Sequence, residues 1–146
     1  MNLSIFAERL SELMFDANIS PSKLAEIVDC DRSSITRYLG GNKMPTVDAC
    51  TKIANYFNCS LDYLFGLENE FYEQKYNSVK PFSDRLPELL KHFNISRYKL
   101  EKLTGISEST LYYWSKRKTT PTIEKIILIS KTLDCSIDFV LGRTTV

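Results

Sequence analysis

Histidine is nearly missing from this chain of 146 residues: His92 stands alone. The four cysteines, Cys30, Cys50, Cys59 and Cys135, include no C-x-x-C pair. Together these absences exclude a zinc site of ordinary ligand spacing. One histidine also leaves no Ser/His/Asp or Cys/His arrangement for nucleophilic catalysis, and no carboxylate pair suggests acid–base work. No enzymatic activity, cofactor, metal or small-molecule substrate is therefore expected. Long apolar runs are absent as well. Ile126-Ile127-Leu128-Ile129 is far shorter than the ~20 residues that span a bilayer, so no membrane partner is expected. The start Met1-Asn2-Leu3-Ser4 lacks a positive segment leading into an apolar run, which predicts no secretory signal. The expected setting of the cysteines is then as buried, free thiols in a reducing cytoplasm. Period-2 alternation between hairpin turns is missing too, so the class is all-α.

Excess charge is lacking overall, at a formal +1, but the average hides a split. Up to Glu70 there are six basic and ten acidic residues; beyond it there are thirteen and eight. Halves of opposite sign point to different electrostatic partners.

What is present is a repeat. Sliding the chain by 76 positions aligns Phe6 with Phe82 and continues without a gap to Gly66 and Gly142. Arg9/Arg85, Leu10/Leu86, Leu13/Leu89, Lys23/Lys99 and Leu24/Leu100 are identical pairs. Asn18-Ile19-Ser20, Pro45-Thr46 and Cys59-Ser60 recur as Asn94-Ile95-Ser96, Pro121-Thr122 and Cys135-Ser136. Core positions stay apolar when they change, as in Ile27/Leu103, Ile35/Leu111, Val47/Ile123 and Leu61/Ile137. A single register across five elements marks a duplication.

Each copy spells short helices with start and stop signals. Ile5, Phe6, Arg9, Leu10 and Leu13 follow the period of an amphipathic helix. Ser20 reads as an N-cap with Pro21 at the first helical position, ahead of a buried stripe of Leu24, Ile27 and Val28. Asp31 caps a third helix whose inward positions are Ile35 and Tyr38, stopped by Gly40-Gly41-Asn42. Pro45-Thr46 and Ser60 open the last two. In the second copy Ser96, Ser107, Thr122 and Ser136 take the same parts, with Trp114 as a core position. The predicted organisation is a first domain over 1–68, a linker over 69–80 and a second domain over 81–146. Phe71, Tyr72 and Tyr76 make the linker a candidate for a short docking helix.

Lys23-Leu24-Ala25-Glu26-Ile27-Val28, Arg32-Ser33-Ser34-Ile35-Thr36-Arg37-Tyr38 and Gly41-Asn42-Lys43-Met44-Pro45-Thr46 resemble the signature of the Cro-type (Xre) helix-turn-helix family. Leu61-Asp62-Tyr63-Leu64-Phe65-Gly66 resembles its closing helix. The second copy matches less closely, because Lys116-Arg117-Lys118 replaces the glycine turn. The resemblance implies two tandem five-helix, lambda-repressor-like domains that bind double-stranded DNA, with the second helix of each pair in the major groove. Carried over by position, the base-facing residues are Arg32, Ser33, Thr36 and Arg37 in the first copy and Glu108, Ser109, Tyr112 and Tyr113 in the second. Helical geometry alone also places 32, 33, 36 and 37 opposite Ile35. Phosphate contacts are expected at helix N-termini and in the loop after each recognition helix. These are Ser20, Ser22, Lys43 and Thr46, then Ser96, Arg97, Lys116, Arg117, Lys118 and Thr122. Pro21 and Arg97 stand where the family commonly has glutamine, and Asp31 brings a negative charge to the interface.

Two function classes follow. One is a sequence-specific DNA-binding regulator whose tandem copies act as a covalent pseudo-dimer. The segment from Leu67 to Lys80 spans ~20 Å as a coil and up to ~45 Å extended, enough for half-sites ~35 Å apart. The other is a protein-interaction module, in which one or both copies bind a second copy of the chain or another protein.

Overall fold

Helices form wherever a capping side chain precedes an apolar stripe. Among the described residues, 3–117 and 119–145 of the computed structural model, there are ten helices and no strand. The chain divides into two units, Met1–Tyr76 and Asn77–Val146. The first holds α1 (Leu3–Ala17), α2 (Pro21–Val28), α3 (Arg32–Leu39), α4 (Val47–Phe57) and α5 (Leu61–Leu64). The second holds α6 (Phe82–Phe93), α7 (Arg97–Thr104), α8 (Glu108–Arg117), α9 (Ile123–Thr132) and α10 (Ile137–Leu141). The all-α class with two tandem five-helix domains is what the repeat predicts.

The caps explain the shared register. Seven hydroxyls each accept from the amide three residues on. They are Ser20 (3.1 Å), Thr46 (3.0 Å), Ser60 (2.9 Å), Ser96 (3.0 Å), Ser107 (3.2 Å), Thr122 (3.3 Å) and Ser136 (2.9 Å). Each such cap contributes ~1 kcal/mol. The helix ends repeat as well. Left-handed backbone occurs at Asn18, Asp29, Asn58 and Gly66, and 76 positions later at Asn94, Gly105, Asp134 and Gly142.

The cores repeat in kind. Phe6 meets Tyr38 edge-to-face at 6.2 Å, and Phe82 meets Trp114 likewise at 5.8 Å. Tyr38 and Trp114 are thus core residues, as expected. Three other expectations shift. On α1 the buried stripe is Phe6, Ala7, Leu10 and Met14, with Leu13 half-buried at its flank. On α2 it is Leu24, Ala25 and Val28, which leaves Ile27 half-buried, and on α7 only Leu100 is buried. The Ile27/Leu103 pair therefore lies at the edge of the helix stripe, not in the core, and Leu103 is 45% exposed. Among the thiols, Cys50 and Cys59 are buried but Cys30 and Cys135 only half so, and none of the four is in a disulfide.

One arginine fastens the first helix of each unit to the last. Arg9 donates to the carbonyls of Tyr63 and Glu68, and its guanidinium lies 4.3 Å from the Tyr63 ring centroid. Arg85 donates to the carbonyls of Phe139 and Val140 and lies 4.9 Å from the Phe139 ring centroid. Such short helices leave their last carbonyls without internal donors, and the guanidinium supplies them. The second unit adds an ion pair between Asp138 and Arg143, both almost fully buried.

The docking helix considered for 69–80 does not form. Phe71 packs edge-to-face on Tyr63 at 5.5 Å, and the Gln74 N–H donates to the Asn58 carbonyl at 3.2 Å. Further on, the Asn77 N–H donates to the Arg143 carbonyl at 2.8 Å. These backbone donors serve tertiary bonds instead of helical ones.

Pro87 lies inside α6, exposed, where the first copy has Ser11. A proline there removes a helical hydrogen bond and crowds the preceding turn, costing ~3 kcal/mol, offset by ~0.4–1 kcal/mol from a stiffer unfolded chain. Pro87→Ser is expected to stabilise the second unit by ~2 kcal/mol. Urea denaturation followed through Trp114 fluorescence reads this directly, and an unchanged or lower midpoint would refute it.

Candidate nucleic-acid interface

In the first unit α2 and α3 form the helix pair, joined through Asp29, Cys30 and Asp31. Packing fixes the rotation of α3. Ile35 and Tyr38 are buried, so Arg32, Ser33, Thr36 and Arg37 share the exposed face. The structure brings these four candidate residues together on one surface. Thr36 Oγ1 donates to the Arg32 carbonyl at 3.1 Å, an i−4 bond within the helix. Neither Arg32 nor Arg37 is in an ion pair among the described residues, so both guanidinium forks are available for a bidentate acceptor.

Around this face, Ser20, Ser22 and Thr46 are exposed at helix N-termini, with Ser20 and Thr46 serving as caps. Lys43 folds back: its ammonium donates to Ser34 Oγ at 3.2 Å and lies 5.8 Å from the Tyr38 ring centroid. Asp31 occupies the N-cap of α3 but makes no side-chain cap bond, so an exposed carboxylate stands at the positive end of that helix. Burial pushes the Cys30 thiol up, and Asp31 adds to the shift, so this half-buried cysteine stays protonated near neutrality. Burial likewise raises the Tyr38 hydroxyl.

The second unit is built differently. Leu111 and Trp114 are buried, while Ser109, Tyr112 and Tyr113 are exposed and Glu108 is half-buried. Arg97 and Glu108, the first residues of α7 and α8, form an ion pair at 3.3 Å. The Arg97 guanidinium also lies 5.3 Å from the Tyr112 ring centroid and reaches Ser115 Oγ at 3.5 Å. A residue expected at phosphate and one expected at a base are therefore each other's partners. Lys116 sits 5.9 Å from the same Tyr112 ring centroid. Ser96 and Thr122 are exposed caps. Lys118 and the side chain of Arg117 lie outside the described residues.

Glu101 went unnoticed in the sequence. Its carboxylate accepts from the Glu108 N–H at 3.1 Å, filling the N-terminus of α8. The signal was the repeat itself, which puts Ala25 at the equivalent position.

Among the described residues no group of histidine, cysteine and carboxylate side chains could hold a metal ion, and no helix is long and apolar enough to cross a membrane. No curated protein and no solved structure matches the chain. A helix-turn-helix family model does match, over residues 13–64 and again over 88–140. With both helix pairs and most of the sequence covered, the chain belongs to the Cro-type helix-turn-helix family of DNA-binding domains and carries that domain twice.

Proposed function

We propose that the chain is a sequence-specific DNA-binding transcriptional regulator of double-stranded DNA, acting in the cytoplasm, with α3 as its principal reading element. The observation that carries this is the exposed face of Arg32, Ser33, Thr36 and Arg37 above buried Ile35 and Tyr38. Arginine can bond guanine O6 and N7 together, and Ser33 and Thr36 can meet base edges or a thymine methyl. Ser20, Ser22, Lys43 and Thr46 supply the surrounding phosphate contacts. In the second copy Glu108 accepts from cytosine N4, with Ser109, Tyr112 and Tyr113 beside it. On this reading Ser96, Arg97, Lys116, Arg117, Lys118 and Thr122 would be its phosphate contacts.

A second reading has a specific observation behind it. Where Glu101 and Glu108 gather at the head of α8, an approaching phosphate meets two carboxylates and one cation. This favours protein interaction over DNA contact for the second helix pair.

Fluorescence anisotropy against random-sequence duplex at two salt concentrations tests the general reading. Affinity is expected to fall steeply with salt as phosphate-bound counterions are released. No binding at low salt would remove DNA as the partner. On a selected site, Arg32→Ala and Arg37→Ala are each expected to cost ~1–3 kcal/mol and to relax base preference. Wild-type affinity in both variants would mean that α3 is not the reading helix.

Asp31→Ser removes the carboxylate and restores a capping hydroxyl. Unfolding of the first unit is expected to become harder by ~1 kcal/mol, and random-duplex affinity to rise. If affinity fell instead, Asp31 would be contacting a base.

A further inference from the structure

The two helix pairs differ most at three positions. Where α2 and α3 carry Ser22, Thr36 and Arg37, the matching positions of α7 and α8 carry Tyr98, Tyr112 and Tyr113. These tyrosines are 62%, 41% and 52% exposed. With Leu103 on α7, they account for the large apolar side chains that the described residues of the second unit expose. Tyrosines gathered this way on one helix pair suit a protein interface, where a large ring is buried and the hydroxyl finds a partner. Away from Glu101 and Glu108 at the head of α8, the rings have cations beside them: Lys102 lies 5.1 Å from the Tyr98 ring centroid and Lys116 5.9 Å from that of Tyr112.

The first unit has a face of opposite character. Phe15 on α1 is 85% exposed, an unusual position for a phenyl ring. Glu8 and Glu12, seven and three residues before it, are exposed on its side of the helix, and the exposed Asp16 stands next to it and four residues from Glu12. At the positions of Phe15 and Asp16 the second unit has Lys91 and His92, so the acidic aromatic face belongs to the first unit alone.

An apolar ring rimmed by carboxylates and an aromatic surface with ammonium groups beside it are complementary in charge and in apolarity. Both are on this chain. We propose that a second copy of the chain is the occupant of each: α1 of one copy docks on α7 and α8 of the other. Every copy carries both faces, so the contact can be made twice, and the proposed assembly is the closed two-fold dimer. The inference goes beyond DNA reading by α3 and does not depend on it.

Sedimentation velocity of the full chain without DNA, over a wide concentration range at low and high salt, tests this. Wild type is expected to dimerise with concentration and to dissociate as salt rises. Phe15→Ser is expected to weaken dimerisation about tenfold or more. A charge exchange tests the pairing itself. One variant carries Glu12→Lys and Asp16→Lys; the other carries Lys102→Glu and Lys116→Glu. Each alone should be monomeric, because like charges meet in both contacts, while their equimolar mixture should form a heterodimer. All substituted positions are exposed, and helical circular dichroism matching wild type verifies that the variants fold. A wild-type chain that stays monomeric throughout overturns the proposal, as does a contact confined within one chain, which would show no concentration dependence. Undiminished dimerisation of either charge variant, or a mixture that stays monomeric, overturns it too. Loss of duplex binding in the anisotropy titration would leave these outcomes unaffected, so the two readings fail separately.

Discussion

Everything in each unit hangs on its first helix, and a guanidinium holds that helix in place. In the first unit α1 packs on both α3 and α5. Arg9 ties it to the carbonyls around α5, while Phe6 stacks on Phe65 at 5.0 Å and meets Tyr38 of α3. α3 is thus backed by a helix that is itself pinned at the other side. Arg85 repeats the bond in the second unit, where α6 packs on α8 and α10. A five-helix domain of this size has little core to spare. Satisfying the open end of its shortest helix and orienting the second helix of its pair through the same element is an economical solution.

On that common frame the units diverge in electrostatics. The second buries the Asp138–Arg143 ion pair; the first has Asp62 and an exposed Leu67 at those positions. Breaking a buried pair leaves a charge without compensation, so the second unit depends on Arg143 in a way that the first does not depend on Leu67. The helix pairs diverge in the same spirit. In α3 the two arginines form no ion pair among the described residues, whereas in α7 and α8 Arg97 is held by Glu108 and Glu101 fills a helix end.

Much of this was legible from residues alone. The capping hydroxyls, the inward Ile35 and Tyr38 and the exposed face of α3 follow from local rules, since a helix's period and its cap are properties of neighbouring residues. What was not legible depends on tertiary placement. Leu103 reads as core by its apolarity and its pairing with Ile27, yet the position of its helix leaves it 45% exposed. The bond from Glu101 to the Glu108 amide crosses a turn whose geometry the left-handed Gly105 sets. Arg9 and Arg85 were visible as identities, but nothing nearby announced which carbonyls they would meet. Phe71 signalled docking correctly and its conformation incorrectly, because aromatic spacing describes which residues want cover and not what the backbone does.

The repeated left-handed joints have a consequence for how such a chain can change over time. Asn18/Asn94, Asp29/Gly105, Asn58/Asp134 and Gly66/Gly142 hold both copies to one set of bends. Surface residues between the joints are then free to be exchanged without moving the scaffold. In a homodimer of single-domain chains every exchange appears in both subunits at once. Here one gene encodes both copies separately, so each surface drifts under its own selection, and the molecule can acquire asymmetric duties without first having to evolve a second protein.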